Sequence, residues 1–279
     1  MIQPFSFHNH TYRCMHAEPE LTEERVVQEH ANRGFTHVAV TDHCPWKTFT
    51  YSPNRRSKML YEEKLAYLKA IRRAKEKYAG VISVYSGFET EHLPFLMDEI
   101  LEMRRQADLM VLGQHFVYDP STQDLVHVHD PSRSIGKMGL SNYAASIEDA
   151  LRQGWPDIIA HPDVIMLQKE DWTAEAEDMA HRIFAAAAEA DVPVEINLAR
   201  IWHFFTGKLT KVEYPCRQFW QVAAQHDVKV LYGIDTHALN QLETFERNVK
   251  RANEILGEEI LSKLHFCTAQ EVLARRNLR

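Results

Sequence analysis

The chain has 279 residues, with 32 lysines and arginines against 39 aspartates and glutamates, a net charge of −7. That balance is a poor surface for tracking long nucleic acid, which favours a basic stripe, and it argues against a membrane-surface role. No apolar run approaches the roughly 18 residues that span a bilayer, and the N-terminus lacks a basic-then-apolar leader, so a cytoplasmic location is expected.

Strand and helix patterns alternate along the chain. Residues 5–11 read as a strand ending in His8-Asn9-His10, and 21–33 as a helix opened by Thr22 and stopped by Gly34. Residues 37–43 form a second strand ending in Asp42-His43. A polar, aromatic loop at 47–57 leads to a long helix at 58–78. Strand 81–92 closes on Glu89, Glu91 and His92, helix 94–105 starts on a proline, and strand 109–115 ends in His115. A loop of roughly two dozen residues, long enough for a lid or binding loop, carries Tyr118, Asp119, His127, His129, Asp130 and Arg133. Helix 141–153 stops at Gly154 and strand 157–163 holds His161. Helix 173–190, strand 193–200 with Glu195, helix 215–226 and strand 228–234 follow, the last running into Asp235-Thr236-His237. Helix 242–256 completes the alternation, and a tail at about 258–279, with a short strand or turn and one more helix, packs on the rest.

Seven alternations imply parallel strands with helical crossovers. No Pro/Gly/Ser-rich linker divides the chain, so residues 1–279 read as one domain. The expected fold class is α/β, a single-domain distorted (βα)7 TIM-like barrel. An open sheet fits less well, because metal-liganding residue types sit at nearly every strand end, and only a barrel brings those ends to one mouth.

The strand ends collect His8, His10, Asp42, His43, Glu89, Glu91, His115, His161, Glu195, Asp235 and His237, with His16 on the first loop. Side chains two apart on a strand share a face, so His8 and His10 point together, as do Asp235 and His237. Imidazoles and carboxylates suit zinc, iron or manganese, and no thiolate is required. Cys14 and Cys44 flank His16 and His43 and read as apolar filler, though thiols can be ligands. With Cys216 and Cys267 they show no CxxC spacing that would indicate a disulfide framework or zinc ribbon. His30, His37, His181, His226 and His265 fall away from the mouth. His92, His127, His129 and His203 lie on mouth-side loops, within reach of a substrate.

The pieces HNHT with its following CMH, VTDH, GFETE, GQHF, AHPD, EIN and GIDTH occur in this order over residues 8–237. Together they resemble the PHP (polymerase and histidinol phosphatase) family of metallophosphoesterases, with CMH and EIN closest to its histidinol-phosphate phosphatase branch. The resemblance implies a distorted seven-stranded barrel, in agreement with the count above, and a site holding two to three divalent transition metals. His8, His10, Glu89 and Asp235 would hold one. Glu89 would bridge to a second, completed by His115 and His161, and His16, His43 and His237 would hold a third.

A metal-activated hydroxide would then hydrolyse a small phosphorylated substrate, with L-histidinol phosphate as the specific expectation. Glu89, Asp235 and Asp42 are the expected catalytic carboxylates, Asp42 by orienting a ligand or through a strand-end hydrogen bond. Glu91 and Glu195 either touch substrate or hydrogen-bond the ligands. Arg200, five residues after Glu195, is the expected phosphate anchor. The basic residue expected just after His161-Pro162-Asp163 is missing, which leaves Lys169 and Arg133 as substitutes. A nucleotide phosphatase or phosphodiesterase of the same family is one alternative. A barrel hydrolase of the amidohydrolase kind is another, but it typically needs a lysine at a strand end, and none is placed there. A non-catalytic metal protein has no use for open coordination positions. The oligomeric state is not legible.

Overall fold

The computed structural model describes residues 2–49, 58–130, 132–168, 171–207 and 214–275, without the side chains of Gln168 and Phe204. A short strand β1 (Phe5–Ser6) leads to helix α1 (Glu23–Asn32), whose first turn is capped by the Thr22 hydroxyl accepting from Arg25 N–H. Strand β2 (His37–Val40), helix α2 (Lys64–Lys77), strand β3 (Ser83–Thr90), helix α3 (Met97–Gln106) and strand β4 (Leu109–Gly113) repeat the unit. Next comes an antiparallel hairpin, β5 (Phe116–Asp119) with β6 (Asp124–His127), then helix α4 (Gly139–Gln153). Strand β7 (Ile158–Ala160), helix α5 (Ala174–Glu189), strand β8 (Val194–Asn197), helices α6 (Ala199–Phe205) and α7 (Arg217–Ala223), and strand β9 (Lys229–Gly233) complete the alternation. The tail supplies α8 (Leu239–Glu243), α9 (Phe245–Leu256), α10 (Glu258–Leu261), β10 (His265–Phe266) and α11 (Ala269–Ala274).

Eight strands pair in parallel in the order β1-β2-β3-β4-β7-β8-β9-β10, and the sheet curls. Its ends meet on the mouth side, where Asp235 N–H donates to His8 C=O and His10 N–H to Thr236 C=O, both at 3.1 Å. At the opposite end β10 pairs with Lys229 and Val230 of β9. The (βα)7 expectation is met in a distorted barrel, with the tail providing an eighth short strand.

Alternation along the strands sorts the interior into two storeys. Phe5, Phe7, Leu109, Val111, Ile158 and Leu231 form an apolar floor, sealed by Cys267, Ala269 and Val272 of the tail. Further along the same inward rows come Glu89, Glu195 and Asp235. Residues of the opposite parity, such as Val38, Val40, Phe88, Val194 and Ile196, pack outward against the helices. Among the described residues, no helix is long and apolar enough to cross a membrane.

Three local expectations change. The long fourth loop is largely built, since β5 and β6 pair from Phe116↔His127 to Asp119↔Asp124 around a turn in which Asp119 accepts from Ser121 N–H. The strand expected over 193–200 ends at Asn197, whose side-chain oxygen accepts from Ala199 N–H at 2.9 Å and starts α6. Arg200 therefore stands on a helix, not a strand. The first strand keeps a ladder only over Phe5–Ser6, with one bridge further on at Asn9↔Thr236.

Candidate metal centre

The irregular end of β1 is shaped by Asn9. Its side-chain N–H groups donate to Ala39 C=O (2.8 Å) and Ser6 C=O (3.2 Å), and its oxygen accepts from the Ser6 and Thr236 hydroxyls. The amide is fully used, so it pins β1 to β2 and β9 while His8 and His10 turn into the mouth. Their Nε2 atoms lie 3.2 Å apart. Asp42, fully buried, fixes the next residue by accepting from Thr11 N–H (2.9 Å) and Thr11 Oγ (2.5 Å). Its Oδ1 stands 3.7 Å from His10 Nδ1.

Glu89 is the hub. His43 Nδ1 (2.8 Å) and His10 Nε2 (3.4 Å) approach one carboxylate oxygen; His161 Nε2 (2.9 Å), His8 Nε2 and His115 Nε2 (both 3.5 Å) approach the other. Asp235 Oδ1 lies 3.2 Å from His10 Nε2 and 3.6 Å from His8 Nε2. Burial alone would raise both acids, yet the imidazoles around them hold Glu89 and Asp235 well below the usual carboxylate range. Two glycines make this possible. A Cβ on Gly113 would fall 2.0 Å from Glu89 Oε1, and one on Gly233 would fall 1.9 Å from the Glu195 carboxyl carbon. Each carboxylate fills the notch of a glycine on the neighbouring strand.

Behind the hub, buried carboxylates orient the rings. Glu195 is fully buried and takes His8 Nδ1–H at 2.9 Å, while Asn197 Nδ2 donates to Glu195 at 2.7 Å and to Asp235 at 3.2 Å. Glu91 takes His115 Nδ1–H at 3.1 Å and is itself held by Lys58 Nζ at 2.8 and 3.0 Å. Of the two roles open to Glu195 and Glu91, ligand support is the one the geometry provides. Substrate contact by Glu195 is corrected, since the side chain is sealed behind His8.

The tautomers test whether these residues fit metal ions. His16 Nδ1 lies 2.6 Å from Cys14 C=O and His237 Nδ1 lies 2.9 Å from Asp235 C=O, so both rings must donate there. Their Nε2 atoms, left with lone pairs, nevertheless face each other at 2.9 Å. The His8–His10 pair differs, because against burial the carboxylates of Asp235, Asp42 and Glu89 push His10 up to about 9. Burial first, then the charge of His10, holds His16 below its ordinary value and His237 down to about 3, so both stay neutral. The facing lone pairs of His16 and His237, close to the Asp235 carboxylate, suit a shared Lewis acid. Donor atoms close enough for one ion occur in His8/His10/Asp235, His8/Glu89/His161 and His10/His43/His237. Cys14, a possible ligand by position, groups with His16 and His237, but burial pushes its thiol up to about 12. His161 and Asp235 also sit at φ +33° and +52°, a strained backbone for residues with a Cβ.

A cleft of about 400 Å³ opens beside the centre, lined by His115, His161 and Asp235 together with Arg200, His129, His203, Tyr214 and Val164. Arg200 makes no ion pair among the described residues. Arg133 does not line the cleft; its guanidinium donates to Leu125 C=O (2.8 Å) and Asp124 (2.6 Å) and staples the hairpin. Lys169 lies outside the described residues. Of the loop histidines, His92 is buried against Asp149 (2.7 Å) and Trp155, away from the cleft. Asn9, Asn197, Gly113 and Gly233 were not singled out from sequence; a glycine closing a strand two residues past the partner of an acid on the neighbouring strand is the signal that would have found the last two.

The family described as PHP domain matches residues 6–199. The chain belongs to the PHP domain family. A probable histidinol-phosphatase of Schizosaccharomyces pombe is 23% identical over 266 residues, covering 86% of this chain and 82% of that protein. Among solved structures, the protein described as histidinol phosphatase hisK from Listeria monocytogenes superposes with a TM-score of 0.69 at 19% identity, covering 85% of this chain and 96% of that one. The histidinol phosphate phosphatase of Lactococcus lactis, solved with zinc, L-histidinol and phosphate, gives 0.61 at 17% identity over 89% and 93%. These likenesses show the PHP fold.

Proposed function

We propose that the protein is a metal-dependent phosphomonoesterase whose substrate is L-histidinol phosphate. The observation that carries this is the convergence of seven imidazoles and two carboxylates beside a cleft that Arg200 also lines. The Schizosaccharomyces pombe relative and the Lactococcus lactis structure support the choice of substrate. His8, His10, Glu89 and Asp235 would hold one ion, Glu89 with His115 and His161 a second, and His16, His43 and His237 a third. Zinc, manganese and iron all suit these N/O donors.

When bound, such ions supply Lewis-acid stabilisation of phosphoryl oxygens and an activated water. The protein's own residues do the rest. Glu195 and Glu91 keep His8 and His115 in the Nδ1–H tautomer, so their Nε2 lone pairs face inward. Asn197 holds Glu195 and Asp235 together, and Asp42 fixes the loop that follows His10. Arg200 lines the same cleft and pairs with the phosphate, where its planar fork can take two oxygens. Residues 1–279 act as one unit, with the tail plugging the barrel floor.

The test is kcat/KM for histidinol phosphate, a generic aryl phosphate and AMP with metal-loaded enzyme. Histidinol phosphate should exceed the others by about tenfold or more, a difference within reach of ordinary pocket contacts. A preference for AMP, or turnover of diesters alone, contradicts the reading.

A further inference from the structure

The cleft lining has a feature that phosphate binding does not use. Beyond the ligand residues its polar groups are Arg200, Asn197, an imidazole pair and a phenol, and Asp235, itself a ligand residue, is the one carboxylate among the described lining residues. Once Arg200 is engaged with phosphate, the alcohol portion of the ester meets His129, Tyr214 and the aliphatic side chain of Val164.

His129 is held there by construction. Val128, just past β6, donates its N–H to the carbonyl of His115 at 2.8 Å, tying the hairpin to a metal-ligand residue. His129 N–H donates to His127 Nδ1 (3.1 Å), and Asp130 N–H to His127 C=O (3.0 Å). Arg133 locks the other side of the hairpin through Asp124 and Leu125. The His129 ring stands 5.5 Å from His127 and 6.3 Å from His115, within the separations of aromatic clusters. A pre-set ring in the cleft favours another ring on the alcohol side of the ester.

We propose that His129 is the specificity-determining residue for the leaving group, receiving a planar ring, aryl or imidazole, on the alcohol side of the phosphomonoester. This rests on the phosphomonoesterase reading above.

The test compares kcat/KM for benzyl phosphate and glycerol 3-phosphate, whose leaving alcohols differ in the ring, with histidinol phosphate assayed alongside and metal content measured for every variant. In His129→Ala the benzyl-to-glycerol ratio should fall about tenfold or more at unchanged metal content, and His129→Phe should keep the ratio within about threefold of wild type. A ratio in His129→Ala within about twofold of wild type overturns the proposal, whether both activities stay or both fall together. His129→Phe losing as much as His129→Ala also overturns it, because the contact would then be a hydrogen bond and not a ring. A wild-type enzyme that hydrolyses none of the three esters removes the phosphomonoesterase reading, and the proposal with it. A falling ratio without any preference for histidinol phosphate supports the ring contact and rejects only that substrate.

Discussion

Single residues at the centre fall into two groups, those that offer a lone pair inward and those that keep it pointing inward. His8 and Glu195 show the relation, since a ring with Nδ1–H given to a buried carboxylate has its Nε2 free for a cation. Removing a hub carboxylate should be severe: Glu89→Gln and Asp235→Asn are each expected to lower kcat by about 100-fold or more and to reduce bound metal. His226→Ala, on a surface pairing with His181 far from the mouth, should stay near wild type; equal losses in all three would mean folding is being measured. Gly233→Ala is expected to lower metal affinity by about 10- to 100-fold through displacement of Glu195, read by competition with a chelator. Arg200→Ala should raise KM for every phosphomonoester and weaken phosphate inhibition at unchanged metal content, with Arg200→Lys recovering part; unchanged KM and inhibition would rule the anchor out. The histidines and acids were legible because strand ends recur with ligand types. Their supports were not, because an asparagine or glycine beside a ligand looks like any turn residue.

Elements behaved as their local chemistry dictates. Thr22 and Gly34 bound α1, Gly154 ends α4 at φ +71°, and Thr173 caps α5, all signals visible in sequence. The hairpin and α6 were missed because their determinants are side-chain hydrogen bonds from Asp119 and Asn197 that no periodicity reports. Within α1, His30 carries a prediction of its own. It donates Nδ1–H to Val26 C=O at 2.8 Å, lies edge-on to Phe35 at 4.9 Å, and burial holds its pKa down to about 4. The folded state therefore stays unprotonated where the unfolded chain, with an ordinary value near 6.5, takes a proton. Stability from this group is full above about pH 6.5 and declines as the pH falls toward 4, by roughly 3 kcal/mol. Urea unfolding of wild type and His30→Leu, both with chelator, should show the difference shifting in favour of the variant between pH 7.5 and 5. A difference that does not change with pH contradicts the assignment.

At the scale of the whole molecule, the barrel turns scattered sequence positions into one site. Residues 8 and 235 are far apart in the chain but adjacent through the backbone bonds that close the mouth, and the tail seals the floor beneath them. Convergence of this kind was readable from seven strand ends; the eighth strand and the splayed closure depend on packing that composition does not carry. The cost of the arrangement is a dense, buried set of imidazoles and carboxylates, which divalent cations at the mouth would stabilise. The most direct measurement is elemental analysis of the gently purified protein beside phosphatase assays before and after chelation. Two to three transition-metal ions per chain, activity abolished by chelator and restored by zinc, manganese or iron, is the expected result. Metal-free protein with full phosphatase activity would contradict it.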